Sequence, residues 1–403
     1  MADMNSRNKR PRDRKSQLAA VASELFRQRG YHGVGINDIA AAAGVTGPAI
    51  YRHFADKQAI LAHVLLSGLR DMEIATEAAL DPERSSTPER IRELLSGLAA
   101  RSVERRDTAA LWRWEGRHLD AESQQQIRRR STAMLSAWAT VLRRKRPELS
   151  EEDAELLCWA TLSVFGSVSV HRVTLAKRRF IELLTELALR VLHVDLPEPD
   201  DAEPTAVPTV PAVTLGQPSR RERVLTEAAE LFRRHGFAAV SMEDIGKAAG
   251  IAGPSVYRHF PSKASLLTAI GRRAGDRVMV AADHALRVSA PSDEREALRR
   301  LADSYVRVLT GPPELLVFFS VDHVHIDEKD RSELSRIQRD YVTQWVRLLE
   351  AVHPGLDTRE AKIIVHAALT IANDLARTRR VASRPHFATE LTTLLHAVLD
   401  ISR

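Results

Sequence analysis

The chain has 403 residues, long enough for two or more domains that each bury a core. Apolar residues make up 44%, charged residues 28% and aromatics only 5%, an ordinary globular balance that, with abundant Ala and Leu, leans towards helix. No apolar run approaches the roughly 18 residues of a membrane helix, so no membrane partner is expected, and the opening MADMNSRNKRPRDRKSQ is too polar for a secretory signal. Cys158 is the one cysteine, which excludes an intrachain disulfide; in ELLCWATL a buried, inert thiol is expected, in a cytoplasmic protein. The formal charge of +6 is unevenly placed. Residues 1–61 hold ten basic against five acidic side chains and residues 219–270 eight against five, so the remainder is slightly acidic. Two basic patches, each opening one half of the chain, are the electrostatic footprint of nucleic-acid contact.

The first element reads as an amphipathic helix, with Leu18, Ala22, Leu25 and Phe26 on one stripe and Gly30 at its end. A short second helix follows from Asn37 to Ala43, anchored by Ile39 and closed by Gly44. The third runs over Thr46-Gly47-Pro48-Ala49-Ile50-Tyr51-Arg52-His53-Phe54, with Thr46 as N-cap and Pro48 in the first turn. Two short helices about a glycine-containing turn make a helix-turn-helix, whose second helix enters the major groove. Gly47 and Ala49 are small enough to let that helix approach base edges, and Lys57 opens a fourth, longer helix with a cation where phosphate would lie. Helical patterning continues to about residue 194, broken at Pro82, Pro88 and Pro147. Residues 195–219 then hold six prolines and read as an extended linker, reaching on the order of 80 Å at ~3.3 Å per residue.

After the linker the chain is written again. Residues 22–61 and 228–267 align without a gap at an offset of 206, and 21 of 48 positions are identical between 14–61 and 220–267. At an offset of 207 the repeat persists to the end, pairing His118 with His325, Trp138 with Trp345 and Pro147 with Pro354. The second half breaks at Pro291, Pro312-Pro313 and Pro354.

The pattern ELF…G…DIA…AGV-T-GPAIYRHF-x-DK-x-x-IL resembles the TetR/AcrR repressors, most specifically at Tyr51-Arg52-His53-Phe54 with Lys57. The resemblance is strong over residues 14–70 and 220–276 and weaker elsewhere; a tandem of this length is unusual for the family. It implies an all-α fold of two tandem units, each a three-helix DNA-binding domain followed by a helical ligand-binding and dimerisation domain. The boundaries are then 1–57 and 58–194 for the first unit, 195–219 for the linker, and 220–263 and 264–403 for the second. By the resemblance, Thr46, Gly47, Ala49 and Ile50 face bases, Tyr51, His53 and Lys57 touch phosphates, and Asn37 adds a backbone contact. The second unit offers Gly253, Ser255, Val256, Tyr257, His259, Lys263 and Ser241. It departs at Ala252, which stands where Thr46 supplies a hydroxyl and a cap. The basic arm Lys9-Arg10-Arg12-Arg14-Lys15 reads either as a minor-groove arm or as a solvated tail.

The family uses the remaining helices as a pocket for a small inducer. Candidate lining residues are Leu111, Trp112, Trp114 and Trp138 in the first half, and Phe318, Phe319, Val321 and Trp345 in the second, although aromatics at helical spacing more often form plain core. Arg113, Glu115, Arg117 and His118 surround the first cluster and suit an acidic or CoA-like ligand, or else a solvated helix face. His323-x-His325-x-Asp327 is not read as a metal site, because residues i and i+2 point apart on a helix; no metal or cofactor is expected. The last two helices of each half, 152–173 with 177–193 and 358–381 with 384–401, are the family's dimer-forming pair, eased by the small Gly166-Ser167-Val168-Ser169. The halves then form an intrachain pseudo-dimer, or else tandem chains form a homodimer. A repressor released from double-stranded operator DNA by an apolar or acyl-type inducer is the leading reading. A ligand-independent DNA-organising protein is the alternative. A helical enzyme with relic DNA-binding heads ranks behind both, because no Ser-His-Asp set, phosphate loop or metal-ligand spacing is legible.

Overall fold

A computed structural model describes residues 11–80, 87–106, 111, 116–197, 219–287, 293–320 and 326–402. These residues are all α, with two short 3-10 turns and no strand. The first repeat contributes α1 (Pro11–Arg29), α2 (Ile36–Ala42), α3 (Gly47–Tyr51), α4 (Lys57–Leu80), α5 (Thr87–Glu104), α6 (Ala121–Lys145), α7 (Glu151–Gly166) and α8 (Lys177–Leu192). The second contributes α9 (Arg220–His235), α10 (Met242–Ala248), α11 (Gly253–Val256), α12 (Lys263–Arg287), α13 (Glu294–Leu309), α14 (Glu314–Ser320), α15 (Glu328–Val352), α16 (Thr358–Arg377), α17 (Arg379–Ala382) and α18 (Phe387–Val398). By contact the chain partitions into two compact units. One runs to Cys158 and includes Val168–Arg172 and Ala176–Leu189; the other holds Trp159–Ser167, Val173–Leu175 and the chain from Arg190 onward. Most of the Pro-rich linker, residues 198–218, lies outside the described residues, as do Lys9 and Arg10 of the basic arm. The rest of the arm is the first turn of α1, not an extended tail.

Glycine ends the first helix of each repeat because the chain there needs a positive φ. Gly30 has φ 71° and Gly236 φ 81°, and each amide closes onto a phenylalanine carbonyl, Phe26 at 2.8 Å and Phe232 at 2.9 Å. Beneath α1–α3 lies a core that includes Leu18, Phe26, Ile39, Ile50, Phe54 and Leu61. The second repeat buries Val224, Phe232, Ile245, Val256, Phe260 and Leu267 at the matching positions. Burying each such side chain contributes roughly 1.5–3 kcal/mol.

One polar device recurs in both repeats. The Lys57 ammonium, on the first residue of α4, donates to the carbonyls of Tyr31 (2.7 Å) and Val34 (2.8 Å) and lies 4.2 Å from the Tyr31 ring centroid. Lys263 donates to Phe237 (2.8 Å), Ala238 (3.3 Å) and Val240 (2.8 Å), with its ammonium 4.7 Å from the Phe237 ring centroid. Each lysine thus ties the start of the long helix to the loop that delivers the second helix. Loop carbonyls left without amide partners are costly, and the two ammoniums, expected at phosphates, satisfy them here.

The helical part of each repeat meets its DNA-binding part in a different way. In the first, His118 of the 3-10 turn Gly116–His118 stacks on Tyr31 at 5.0 Å, and Gln58 donates to the His118 carbonyl at 2.7 Å. In the second, Arg273 pairs with Glu222 of α9 and lies 3.5 Å from Glu314, a buried carboxylate that Arg277 also approaches at 3.3 Å.

The lysine clamps generate a stability prediction. Lys57→Met and Lys263→Met keep the length of the side chain and remove the ammonium, so each is expected to destabilise its own repeat by roughly 1–3 kcal/mol. Hydrogen exchange should show the loss at residues 31–34 or 237–240 first. An exchange pattern indistinguishable from wild type would remove the clamp from the account.

Candidate nucleic-acid interface

The third helices, α3 and α11, are only five and four residues long. Their sides are divided identically. Ile50 and Phe54 point inward at 0% and 4% exposure, as do Val256 and Phe260 at 0% and 2%. Phe54 N–H donates to the Ile50 carbonyl at 3.0 Å and Phe260 N–H to the Val256 carbonyl at 2.9 Å, carrying one more turn beyond each helix. Tyr51 and Tyr257 point outward, exposed to 58% and 55%. Apart from this pair, the large apolar side chains exposed among the described residues are Ile74 and Val280. A tyrosine left in solvent at the same place twice, where burial would stabilise it, marks a contact surface. Arg52 and Arg258 beside them are also exposed, and His53 and His259 are half-buried.

This geometry sorts the expected DNA-binding residues. Thr46, Tyr51 and Tyr257 lie exposed on the outer side, with Gly47, Ala49, Gly253 and Ser255 partly so. Ile50 and Val256 do not: both belong to the core, one turn before Phe54 and Phe260, so their assignment as base-facing residues is corrected. Thr46 stands at the N-cap position but makes no side-chain cap hydrogen bond, and Ala252 occupies the same place with similar extended backbone. The second unit therefore loses an outward hydroxyl there and no cap. Gly47 has an internal reason to be small, since a Cβ would stand 2.9 Å from Asn37 Oδ1.

Asn37 is exposed in the first turn of α2. Its positional counterpart at the offset of 206 is Glu243, not Ser241, which matches Gly35. Ser241 caps α10: its hydroxyl accepts from Asp244 N–H at 3.1 Å and donates to the Asp244 carboxylate at 2.6 Å. Hydrogen bonds from the Ser241 hydroxyl and from its backbone N–H, the latter at 2.9 Å, hold the Asp244 carboxyl below the usual range.

Further cations lie beside the third helices. Arg52 and Arg258 carried no assigned role, though their place between an exposed tyrosine and a histidine was visible. Lys15 on α1 lies 5.0 Å from the Phe54 ring centroid, and its counterpart Arg221 lies 4.6 Å from that of Phe260. The other edge of Phe54 meets His63 at 5.4 Å, where burial and then the charge of Lys15 hold the imidazole below its ordinary pKa.

The inducer-pocket candidates divide differently. Leu111, 1% exposed, packs in the DNA-binding core of the first repeat. Trp138 is buried, with its indole N–H on Thr76 Oγ1 at 3.0 Å. Phe318 is buried on Gly271, Phe319 is half-buried, and Trp345 is fully buried. Trp112, Trp114 and Val321 lie outside the described residues, as do Arg113, Glu115, His323 and His325. His118 stacks on Tyr31 in the junction described above. No helix among the described residues is long and apolar enough to cross a membrane.

The family model for bacterial regulatory proteins of the tetR family matches residues 18–64 and again 224–270. Among curated proteins, the chain is 27% identical over 165 residues to the HTH-type transcriptional activator FasR of Mycolicibacterium smegmatis, covering 40% of this chain and 73% of that one. It is 29% identical over 139 residues to the HTH-type transcriptional repressor KstR2 of Rhodococcus jostii, covering 34% and 67%. Among solved structures, the TetR-family regulator PfmR of Thermus thermophilus is 26% identical, with 44% of this chain and 94% of that chain covered and a TM-score of 0.39. The two family matches fall on the two helix-turn-helix segments with their duplicated outward tyrosines, and the chain belongs to the TetR family of bacterial DNA-binding transcriptional regulators, as a tandem of two units.

Proposed function

We propose that the protein is a ligand-responsive repressor whose two units act as one intrachain pseudo-dimer on an asymmetric operator. The observation that carries this reading is the pair of third helices, alike in what they bury and unlike in what they present. Thr46 and Ala49 on the first stand against Ala252 and Ser255 on the second. Tyr51, Arg52 and His53, with Tyr257, Arg258 and His259, supply the shared phosphate contacts, which position a protein on DNA without reading sequence. The DNA-binding domains are assigned to 1–57 and 220–263, the helical ligand and interface domains to 58–194 and 264–403, and the linker to 195–219. Pairing of the two halves is supported by the partition of the chain, in which Trp159–Ser167 and the residues from Arg190 count with the second compact unit. Within that unit Arg190 donates to the Val398 carbonyl at 3.4 Å and lies 3.8 Å from the Asp400 carboxylate. In tandem layout the chain is similar to the regulator of a mycobacterial mammalian-cell-entry operon. The inducer is a small apolar or acyl-type molecule held in the helical domains, and the site of action is the cytoplasm.

Two measurements test this. Arg52→Ala and Arg258→Ala should each weaken binding to every sequence and lower the salt slope by about one unit. A slope unchanged across a salt titration would remove those arginines from the interface. The operator is tested by selecting bound sequences from a random pool and footprinting the winners. Identical helices demand a palindrome, whereas these two should recover unequal half-sites about one helical turn or more apart, with one chain bound per site. Each mismatched base pair costs ~1–3 kcal/mol, enough for Ala49→Ser to shift the preference of the first half-site alone. A perfect palindrome carrying two chains would mean that like units pair between chains, and the pseudo-dimer would be wrong.

A further inference from the structure

The helical domain of the second repeat buries a polar group that the first repeat lacks. Tyr305 on α13, Tyr341 and Trp345 on α15 and Asn373 on α16 are between 0% and 8% exposed. The three rings stand 5.9–6.0 Å apart, and the Tyr305 hydroxyl donates to Asn373 Oδ1 at 2.9 Å. The Tyr341 hydroxyl and the Trp345 indole N–H, both buried, have no hydrogen-bond partner. Burial, then the neighbouring Tyr305, holds the Tyr341 phenol well above its ordinary value against a smaller opposing effect of the nearby Trp345 indole, so it stays a donor. Even with the indole N–H turned onto the phenol oxygen, the phenol hydrogen lacks an acceptor. Natural cores carry few such groups, and each calls for an explanation.

At the matching positions of the first repeat stand Leu98, Met134 and Gly166, and the matching indole, Trp138, is already satisfied by Thr76. Thr76 in turn corresponds to Ala282. The long helices differ in the same sense. Leu65 and Leu69 of α4 are fully buried, whereas their counterparts on α12 are Gly271 and Gly275. A Cβ on Gly271 would come within 2.7 Å of the Phe318 ring, and one on Gly275 within 3.2 Å of Ile337. Where the first core has Leu98 and Met134, the second has tyrosine rings and an unspent phenol donor.

We infer that the second unit alone senses the inducer, with Tyr341 and Trp345 donating to a carbonyl or hydroxyl oxygen on an otherwise apolar, uncharged molecule. A buried carboxylate needs a cationic partner, and both donors here are neutral. The inference rests on the ligand-responsive reading above and adds which unit responds and to what chemistry.

The test uses the full chain and two matched pairs of probes: indan-1-one with indane, and 2-acetylnaphthalene with 2-ethylnaphthalene. Calorimetry should find at least one ketone bound once per chain, about tenfold or more tighter than its hydrocarbon partner. Tyr341→Phe and Trp345→Phe should each remove that preference, and Trp138→Phe should leave it. Without any probe, Tyr341→Phe should melt no lower than wild type, because the hydroxyl it removes has no partner; a structural hydroxyl would lower the melting temperature. A lowered melting temperature, no ketone bound, equal binding of the hydrocarbons, or two ketones per chain would each overturn the inference. The proposed function is checked apart from it, on the operator recovered by selection. Ketone held at Tyr341 and Trp345 without DNA release would defeat the ligand-responsive reading and leave the binding site standing. Release driven equally through Trp138 would keep that reading and defeat the division between units.

Discussion

Helices of four and five residues cannot persist alone, since isolated helices shorter than roughly 12–15 residues are marginal in water. The third helix of each repeat exists because Ile50 and Phe54, or Val256 and Phe260, are driven into the core beneath it. That anchoring fixes everything on the outer side. With about 100° of rotation per residue, burying one position and the position four later turns the intervening Tyr51-Arg52 or Tyr257-Arg258 into solvent. The surface offered to DNA is thus the complement of the core, and few positions remain on which sequence preference can be written. The same constraint explains the lysine clamps, which hold the loop ahead of the second helix and so keep the surface on which the third helix rests.

Much of this was legible in the residues. The glycines at 30, 44, 236 and 250 all take positive φ, as a place after a helical stripe implies, and the helix expected from Asn37 to Ala43 runs from Ile36 to Ala42. The duplication was plain because it is gapless over the DNA-binding segment. For Ile50 periodicity is the better guide than the family pattern: Ile50 and Phe54 are an i, i+4 pair and share the core side. Lys57 is a different case. Its partners are carbonyls 23 and 26 residues earlier, and no local pattern tells whether an ammonium at a helix start turns to solvent or back to a loop. Ser241 resembles Asn37 in chemistry but not in register; the offset that aligns every other pair sets it beside Gly35. Leu111 shows the limit of aromatic clustering, for it lies next to tryptophans in sequence yet packs with Leu18 and Phe26 in space.

The two repeats have kept their DNA-binding interiors and changed elsewhere. In the DNA-binding parts the buried positions are conservative between copies, while positions 46 and 49 differ from 252 and 255 in whether they carry a hydroxyl. The helical parts diverge inside. Leu98 has become Tyr305, Met134 Tyr341 and Gly166 Asn373, exchanges that place polar atoms in a core and are destabilising unless something satisfies them. Two of the three meet each other, through the Tyr305–Asn373 hydrogen bond, and the Tyr341 hydroxyl is left over.

Coupling between a helical core and a DNA-binding head requires an element whose free energy both ends influence. In the second repeat α14 has that position. It carries Phe318 against Gly271 of α12 and, one turn earlier, Glu314 against Arg273, which itself holds Glu222 on α9. Glu314 is 2% exposed, and a carboxylate so buried cannot part from its arginines without a large desolvation cost. Displacement of α14 therefore either drags Arg273 and α9 with it or breaks an ion pair that the interior cannot leave open. In the first repeat Ser16, Ser67 and Asp71 stand where Glu222, Arg273 and Arg277 do, and the described part of its junction includes the Tyr31–His118 stack, a hydrogen bond from Gln58 and the packing of Leu111 and Leu119 into the DNA-binding core. The second head is thus geared to its own helical domain through a buried ion pair, where the described junction of the first is built from stacked rings and apolar packing.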